Sequence, residues 1–425
     1  ELSESLDMAG LSCLVTGGGG FLGRHIVREL LREGESLQEV RVFDLRFSPE
    51  LDEDSSKLQV ITKIKYIEGD VTDKQDLAAA LQGISCCTLL DMTLMDDVVI
   101  HTAAIIDVFG ELRVSGSDLS FGVTVLFLAV TEGSYVVFYM GATDLRKASR
   151  DRIMKVNVKG TQNVLDACVE AGVRVLVYTS SMEVVGPNSR GQPIVNGDET
   201  TPYESTDDHQ DAYPESKALA EKLVLKANGS MLKNGGRLYT CALRPAGIFG
   251  EGDQFLVPFL RQLVKNGLAK FRIGDKNALS DRVYVGNVAW AHILAARALQ
   301  DPKKGREGAS SIAGQAYFIS DDSPVNSYDD FNRTLLKALG LRLPSTWRLP
   351  LPLLYVLAYL NELLSWLLRK LALRYTPLLN PYTVTLANTT FTFSTNKAKK
   401  DLGYEPLVTW EEARAKTIEW IQELE

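Results

Sequence analysis

The sequence predicts a doubly wound parallel α/β sheet, and three observations carry the prediction. An apolar run LSCLV (11–15), the glycine run TGGGGFLG (16–23) and an amphipathic stretch follow one another directly. A second strand, EVRVFD (Glu39–Asp44), ends in an acid. Farther on, VRVLVYTSS (173–181) ends in hydroxyls and precedes YPESK (213–217).

Each element follows from its pattern. LSCLV is a short apolar stretch of strand type. FLGRHIVRELLREG (21–34) places Phe21, Leu22, Ile26, Val27, Leu30 and Leu31 at helical spacing. The glycines therefore lie between a strand and a helix, where a pyrophosphate meets the free N–H groups of a helix N-terminus. Gly17, Gly20 and Gly23 fit GxxGxxG, with Phe21 opening the helix beside the cradle. That spacing serves a tight turn, close approach to phosphate and close helix–strand packing. A flexible linker would not be flanked in this way. Asp44 ends the second strand about 20 residues on, as expected for a carboxylate that binds an adenosine ribose. It would repel a 2′-phosphate, so NAD is favoured, while Arg46 keeps NADP open. A third strand, KYIEGDV (65–71), ends near Asp70, an expected adenine contact. A fourth, DVVIHTAA (97–104), ends in small residues that let a cofactor pass close.

The chemistry comes from Tyr213 and Lys217. On a helix, positions four apart share one face, so phenol and ammonium act together. A free tyrosine titrates near ~10 and is a poor base at neutral pH. A nearby ammonium and a positive nicotinamide ring favour the phenolate. A lone YxxxK is also what a surface helix pair looks like. Here the strand before it places Ser181, with Ser180 as the second candidate, beside the same pocket.

With glycine turn, acid, serine, tyrosine and lysine in this order, the chain resembles an extended short-chain dehydrogenase/reductase of Rossmann fold. It is most similar to the 3β-hydroxysteroid dehydrogenase/isomerase family. The stretches that carry this are HTAAIIDVFG (101–110), NVKGTQNVLDAC (157–168), YTSSMEVVGPNS (178–189), the block opened by YPESK (213–229), TCALRPAGIFGEG (240–252), RVYVGNVAWAHILAARALQDPKK (282–304) and 387–413. The texts at 178–189 and 387–413 look most like the branch acting on 7α-hydroxylated bile-acid sterols.

The resemblance implies roles. Tyr213 is the base, Lys217 tunes it and holds the nicotinamide ribose, and Ser181 orients the substrate. Asn157 matches a helix amide of the family, with packing a nearly equal reading. Arg244 and Pro245 are expected in a loop covering the nicotinamide, and Tyr284 and Asn287 facing the substrate half or in the core. The implied reaction is NAD-dependent oxidation of a 3β-hydroxy-Δ5-steroid or sterol to the 3-oxo form, then Δ5 to Δ4 isomerisation, in steroid-hormone or bile-acid biosynthesis. No acid or base for the second step is assigned. A homodimer through the helix carrying YPESK is a further implication, with Leu219, Leu223 and Val224 serving it or plain packing.

Composition agrees. The chain has 425 residues and 45% hydrophobic content, enough for a sizeable core. A formal net charge of -8 argues against a nucleic-acid surface. Cys13, Cys86, Cys87, Cys168 and Cys241 form no CxxC or CxxH spacing, so neither a metal site nor a disulfide framework is expected. The opening ELSESLD is polar and acidic, without the apolar core of a signal peptide, and the ordered pattern is expected to begin after Met8.

Two features depart from the family. The text at 114–149 intervenes where the family runs almost directly from VFGELR into DRIMKVNVKG, and ISCCTLLDMTLMD (84–96) is also irregular. The insertion reads either as a lid or membrane contact, or as retained non-coding sequence, and the second reading is preferred. The domains are then 8–245, holding NAD, and 246–425, holding substrate. Within the latter, LPLPLLYVLAYLNELLSWLL (349–368) approaches the ~20 residues of one bilayer crossing. Asn361 and Glu362 fall in its middle, so a helix lying in the interface fits better, anchored by Tyr355, Tyr359 and Trp366. A buried hairpin lining the steroid site is the alternative. The family implies attachment to the endoplasmic reticulum membrane or the mitochondrial membrane. Competing functions are a related extended reductase or nucleotide-sugar epimerase, and a dinucleotide-binding protein impaired by the insertion.

Overall fold

A computed structural model describes residues 12–33, 37–47, 62–82, 98–102, 123–126, 135–140, 145–188, 190–204, 212–253, 260, 271–301, 312–338, 347–370, 373–374 and 379–423. The irregular text at 84–96, with Cys86 and Cys87, lies outside them.

Among the described residues, seven parallel strands form the central sheet. They are β1 (Ser12–Thr16), β2 (Glu39–Asp44), β3 (Lys63–Glu68), β4 (Val98–His101), β5 (Val175–Thr179), β6 (Tyr239–Pro245) and β7 (Gln315–Ile319). Their spatial order is β7-β6-β5-β4-β1-β2-β3. β1 and β5 are buried along their whole length, as strands covered on both faces must be. Side chains alternate between two cores. Cys13, Val15, Val40, Val42, Ile100, Val175 and Val177 face α1 (Phe21–Glu33), and Leu14, Leu176 and Tyr178 face the other way. That second face is covered by α2 (Lys74–Leu81), α4 (Thr161–Ala171) and α5 (Ala212–Ala227). The chain reaches α4 through α3 (Leu145–Met154) and a π-type turn, Lys155–Gly160.

β7 comes from beyond residue 245, and α6 (Val285–Gln300) packs on α1. Sheet and cover thus draw on both halves of the chain. Val224 is buried in the core and Leu223 packs against it. Of the atypical stretch, Val123–Leu126 pairs antiparallel with Tyr135–Met140, and the latter pairs with Leu373–Arg374.

The apolar segment forms α7 (Leu351–Lys370), which packs on α8 (Pro381–Asn388) through Leu354, Ala358 and Val384. Tyr355 turns inward and its hydroxyl meets Thr385 Oγ1 at 3.0 Å, whereas Tyr359 is exposed. The Asn361 amide donates to the Leu379 carbonyl at 3.2 Å, which removes the polar side chain from the outer face. Among the described residues no helix is long and apolar enough to cross a membrane.

Candidate active site

The strand order reverses between β1 and β4, which opens a crevice at their C-terminal ends. The glycine loop lies there. Gly17 adopts φ 70°, a left-handed conformation that glycine reaches without strain. The N–H groups of Gly17 and Gly18 donate to the Phe43 carbonyl at 2.8 and 3.3 Å, tying the loop to β2. A Cβ at Gly23 would overlap the Gly17 carbonyl oxygen, and one at Gly20 would lie 3.2 Å from it. Phe21 opens α1 but packs toward the apolar cluster around Phe249 and Tyr284.

Asp44 closes the cradle from β2. Its Oδ2 accepts the Gly19 N–H at 3.0 Å and its Oδ1 the Leu45 N–H at 2.7 Å. Burial pushes this carboxyl up from its ordinary range, against the pull of the backbone donors. Asp70 stands two residues past β3, where its carboxylate accepts the Thr72 N–H at 2.8 Å.

Tyr213 and Lys217 lie one turn apart on α5, both buried. Lys217 Nζ donates to the Thr179 carbonyl at 2.5 Å and stands 4.5 Å from the centroid of the Tyr178 ring. Burial lowers this ammonium to about 7, and the charge of Glu221 opposes the fall. Tyr213 is hydrogen-bonded to Ser181, which pulls its pKa down, but burial and the nearby charge of Glu183 push it above the ordinary tyrosine value. The Ser181 Oγ accepts the Glu183 N–H at 3.2 Å and caps the 3-10 turn Met182–Val185. Ser180 differs. Its N–H extends the sheet to Leu243, and its Oγ is buried with no partner among the described residues. The geometry therefore brings Ser181, Tyr213 and Lys217 together.

Asn157, in the π-type turn, donates to Ser216 Oγ at 2.9 Å, and Ser216 Oγ donates to the Tyr213 carbonyl at 2.7 Å. It bears on the backbone of the tyrosine, which is a positioning geometry. Arg244 lies within β6, not in a covering loop. Its guanidinium grips the fully buried Glu221, with Nη2 2.7 Å from Oε1, and Tyr203 donates to the same oxygen at 2.6 Å. Asn287 donates to Asp321 and to the Val408 carbonyl at 2.8 Å each, a core tie. Tyr284 donates to Glu251 at 2.8 Å.

Four residues near the site carried no expectation from sequence: Glu221, His101, His292 and Glu183. Glu221 had a readable signal, being one helical turn beyond Lys217 on the same face of α5. Glu183 lies two residues past Ser181 in the turn that Ser181 caps, whereas His101 and His292 become neighbours only through the fold.

Comparison with known proteins agrees with the geometry. The chain is 48% identical over 425 residues to the mouse (Mus musculus) 3 beta-hydroxysteroid dehydrogenase type 7, covering 100% of this chain and 99% of that protein. Solved structures share the fold at lower identity. The dTDP-glucose 4,6-dehydratase DesIV of Streptomyces venezuelae, with NAD bound, has a TM-score of 0.61 at 19% identity, covering 97% of each chain. MoeE5 in complex with UDP-glucose and NAD has a TM-score of 0.60 at 21% identity, covering 97% of this chain and 99% of that one. The sequence pattern of the 3-beta hydroxysteroid dehydrogenase/isomerase family matches residues 14–118 and 126–351, its one break falling inside the atypical stretch. With that pattern running through both the glycine cradle and the Ser181–Tyr213–Lys217 cluster, the chain belongs to the 3-beta hydroxysteroid dehydrogenase/isomerase family.

Proposed function

We propose that this protein is a membrane-associated, NAD-dependent 3β-hydroxysteroid dehydrogenase with Δ5–Δ4 isomerase activity, acting on a C27 sterol of bile-acid synthesis. The observation that carries the proposal is the meeting of Ser181, Tyr213 and Lys217 beside the switch-point crevice. The sterol class is supported by the mouse relative, named a 3 beta-hydroxysteroid dehydrogenase.

The residues fit NAD. A side chain at Gly20 or Gly23 would crowd the cradle, α1 offers its N-terminus to the pyrophosphate, and Asp44 stands beside the loop as a carboxylate acceptor for a ribose. Gly17, Gly20 and Gly23 would hold the phosphates, Asp44 the adenosine ribose, Asp70 the adenine and Lys217 the nicotinamide ribose. When bound, NAD supplies the acceptor for the hydride that leaves C3 of the sterol. Ser181 orients the 3β-hydroxyl and Tyr213 takes its proton, giving the 3-oxo-Δ5 product. Lys217 offsets the negative charge that the Tyr213 oxygen carries before it takes that proton. The double bond moves into conjugation in a second step.

The exposed apolar face of α7 supports attachment to a membrane surface, in which the sterol dissolves, and we place the protein at the endoplasmic reticulum membrane. In this reading 8–245, completed by β7, holds NAD, and 246–425 provides most of the sterol side.

The test is NADH production by the detergent-purified full chain, offered 7α-hydroxycholesterol and pregnenolone side by side, with NADP as control. Absorbance of the conjugated enone is followed in the same run. Expected are turnover of the C27 sterol with NAD and none in Tyr213→Phe, which still binds NAD. Absence of turnover with both sterols overturns the proposal.

A further inference from the structure

Glu183 and Tyr382 are 199 residues apart in sequence, yet the Tyr382 hydroxyl donates to Glu183 Oε2 beside the Ser181–Tyr213 pair. Glu183 belongs to the turn that Ser181 caps. Tyr382 is buried on the first turn of α8. That helix is a firm base. Asn380 and Thr383 form a reciprocal capping box at 2.8 and 3.1 Å, Thr385 is tied to Tyr355 of α7, and Asn388 donates to the Ile273 carbonyl at 2.9 Å.

We propose that Tyr382 is a positioning residue for the oxidation step, holding the Glu183 carboxylate at a fixed place beside the catalytic Tyr213. The proposal rests on the reading of Tyr213 as the base. Tyr213 faces Ser181 and Glu183 from the capped turn, Lys217 along its own helix and Tyr178 from β5. Glu183 faces Tyr213, Tyr382 and the half-buried Arg282, whose other charged and titratable neighbours are Asp253, Asp281 and Tyr328. Tyr382 thus brings a neutral donor from a distant element to the carboxylate. A hydrogen bond to a carboxylate disperses its charge. With the hydroxyl removed, the charge bears more heavily on a Tyr213 phenolate. With the charge removed, the phenolate forms more readily.

Tyr382→Phe, Glu183→Gln and the double variant separate this from simple loop packing. The readouts are the pH titration of the Tyr213 resonance in full chain labelled with ¹³Cζ-tyrosine, assigned by its loss in Tyr213→Phe, and the acid limb of kcat for sterol oxidation. Tyr382→Phe should move both to higher pH, by roughly half a unit to one unit, the reach of one hydrogen bond. Glu183→Gln should move both to lower pH, and the double variant should match Glu183→Gln. A Tyr382→Phe titration equal to the parent, or a shift that persists in the Glu183→Gln background, overturns the proposal. A parent chain that turns over no sterol but shows this titration pattern would refute the sterol reading and leave the positioning role standing.

Discussion

The carboxylate of Asp44 accepts the backbone N–H of Gly19 at 3.0 Å, so the acid ending β2 and the glycine loop after β1 form one unit. Backbone N–H groups reach it from both sides, from Gly19 and Gly20 of the loop and from Leu45 and Arg46 after β2. Asp44→Asn keeps the acceptor for Gly19 and removes the charge that repels a 2′-phosphate. Its ratio of NADP to NAD kcat/KM should rise about ten- to a hundredfold, the worth of one charged hydrogen bond. An unchanged ratio would take Asp44 out of the ribose site.

Glu221 holds Lys217 charged from behind while gripping Arg244 in the core. Glu221→Gln should act twice. Breaking a buried pair leaves the guanidinium uncompensated and typically lowers stability by about 3–5 kcal/mol. Lys217, already lowered to about 7, should fall further, so activity declines at a lower pH. Replacing the pair together, as Glu221→Leu with Arg244→Met, should recover much of the stability but not the pH profile. If the profile recovers as well, the carboxylate serves packing alone.

The legible part of this molecule is the part written locally. Glu39–Asp44 is a strand with the expected bounds because Val40, Val42 and Phe43 favour strand and an acid closes the segment. Gly23 could be read because helix and strand approach too closely there for any side chain. β3 begins at Lys63, two residues before the expected start, because an edge strand with one half-exposed face has a weak apolar signal. β7 carried no expectation, since parallel pairing with a strand about 70 residues earlier has no local signature. Arg244 was placed in a loop by resemblance, yet its partner Glu221 holds it inside β6. The contact of Tyr382 with Glu183 needed the folded chain.

His101 and His292 are fully buried and neutral. Thr161 donates its hydroxyl to the Asn157 carbonyl at 2.5 Å, so its lone pair takes the His101 Nε2–H at 3.0 Å, and Nδ1 accepts from Thr16 at 2.6 Å. His292 donates from Nδ1 to the Val288 carbonyl and accepts from Thr179. Neither ring has an acceptor for a second proton, and burial lowers them to about 3 and about 4. The unfolded value is near ~6.5. Below that pH the unfolded chain binds more protons than the folded one, so stability is full above it and is lost as pH falls. The slope approaches about 1.4 kcal/mol per pH unit for each histidine. Urea unfolding at about pH 6.5 and about pH 5, below the main titration of Lys217, should differ by roughly 3–4 kcal/mol. His101→Gln should halve that difference, and an unreduced difference would exclude His101 as a source.

The outer face of α7 is the last element with a direct test. Leu353, Val356, Leu357, Leu360, Leu363 and Leu367 recur at helical spacing and are 36–54% exposed, while Leu354 and Ala358 on the opposite side are buried. A contiguous apolar stripe of this kind is held in water only at a penalty and is well suited to lie among lipid headgroups. Burying a large apolar side chain contributes about 1.5–3 kcal/mol. Val356→Glu combined with Leu360→Glu should therefore lower partition onto phosphatidylcholine vesicles at least a hundredfold, at about 1.4 kcal/mol per decade. Both side chains are more than half exposed, so the unfolding midpoint should barely move. Leu354→Ala should do the reverse. It removes a side chain packed against Val384 and should lower stability by about 2–5 kcal/mol while vesicle binding persists in the folded protein. Equal vesicle binding by the double glutamate variant and the parent chain would show that another surface meets the membrane.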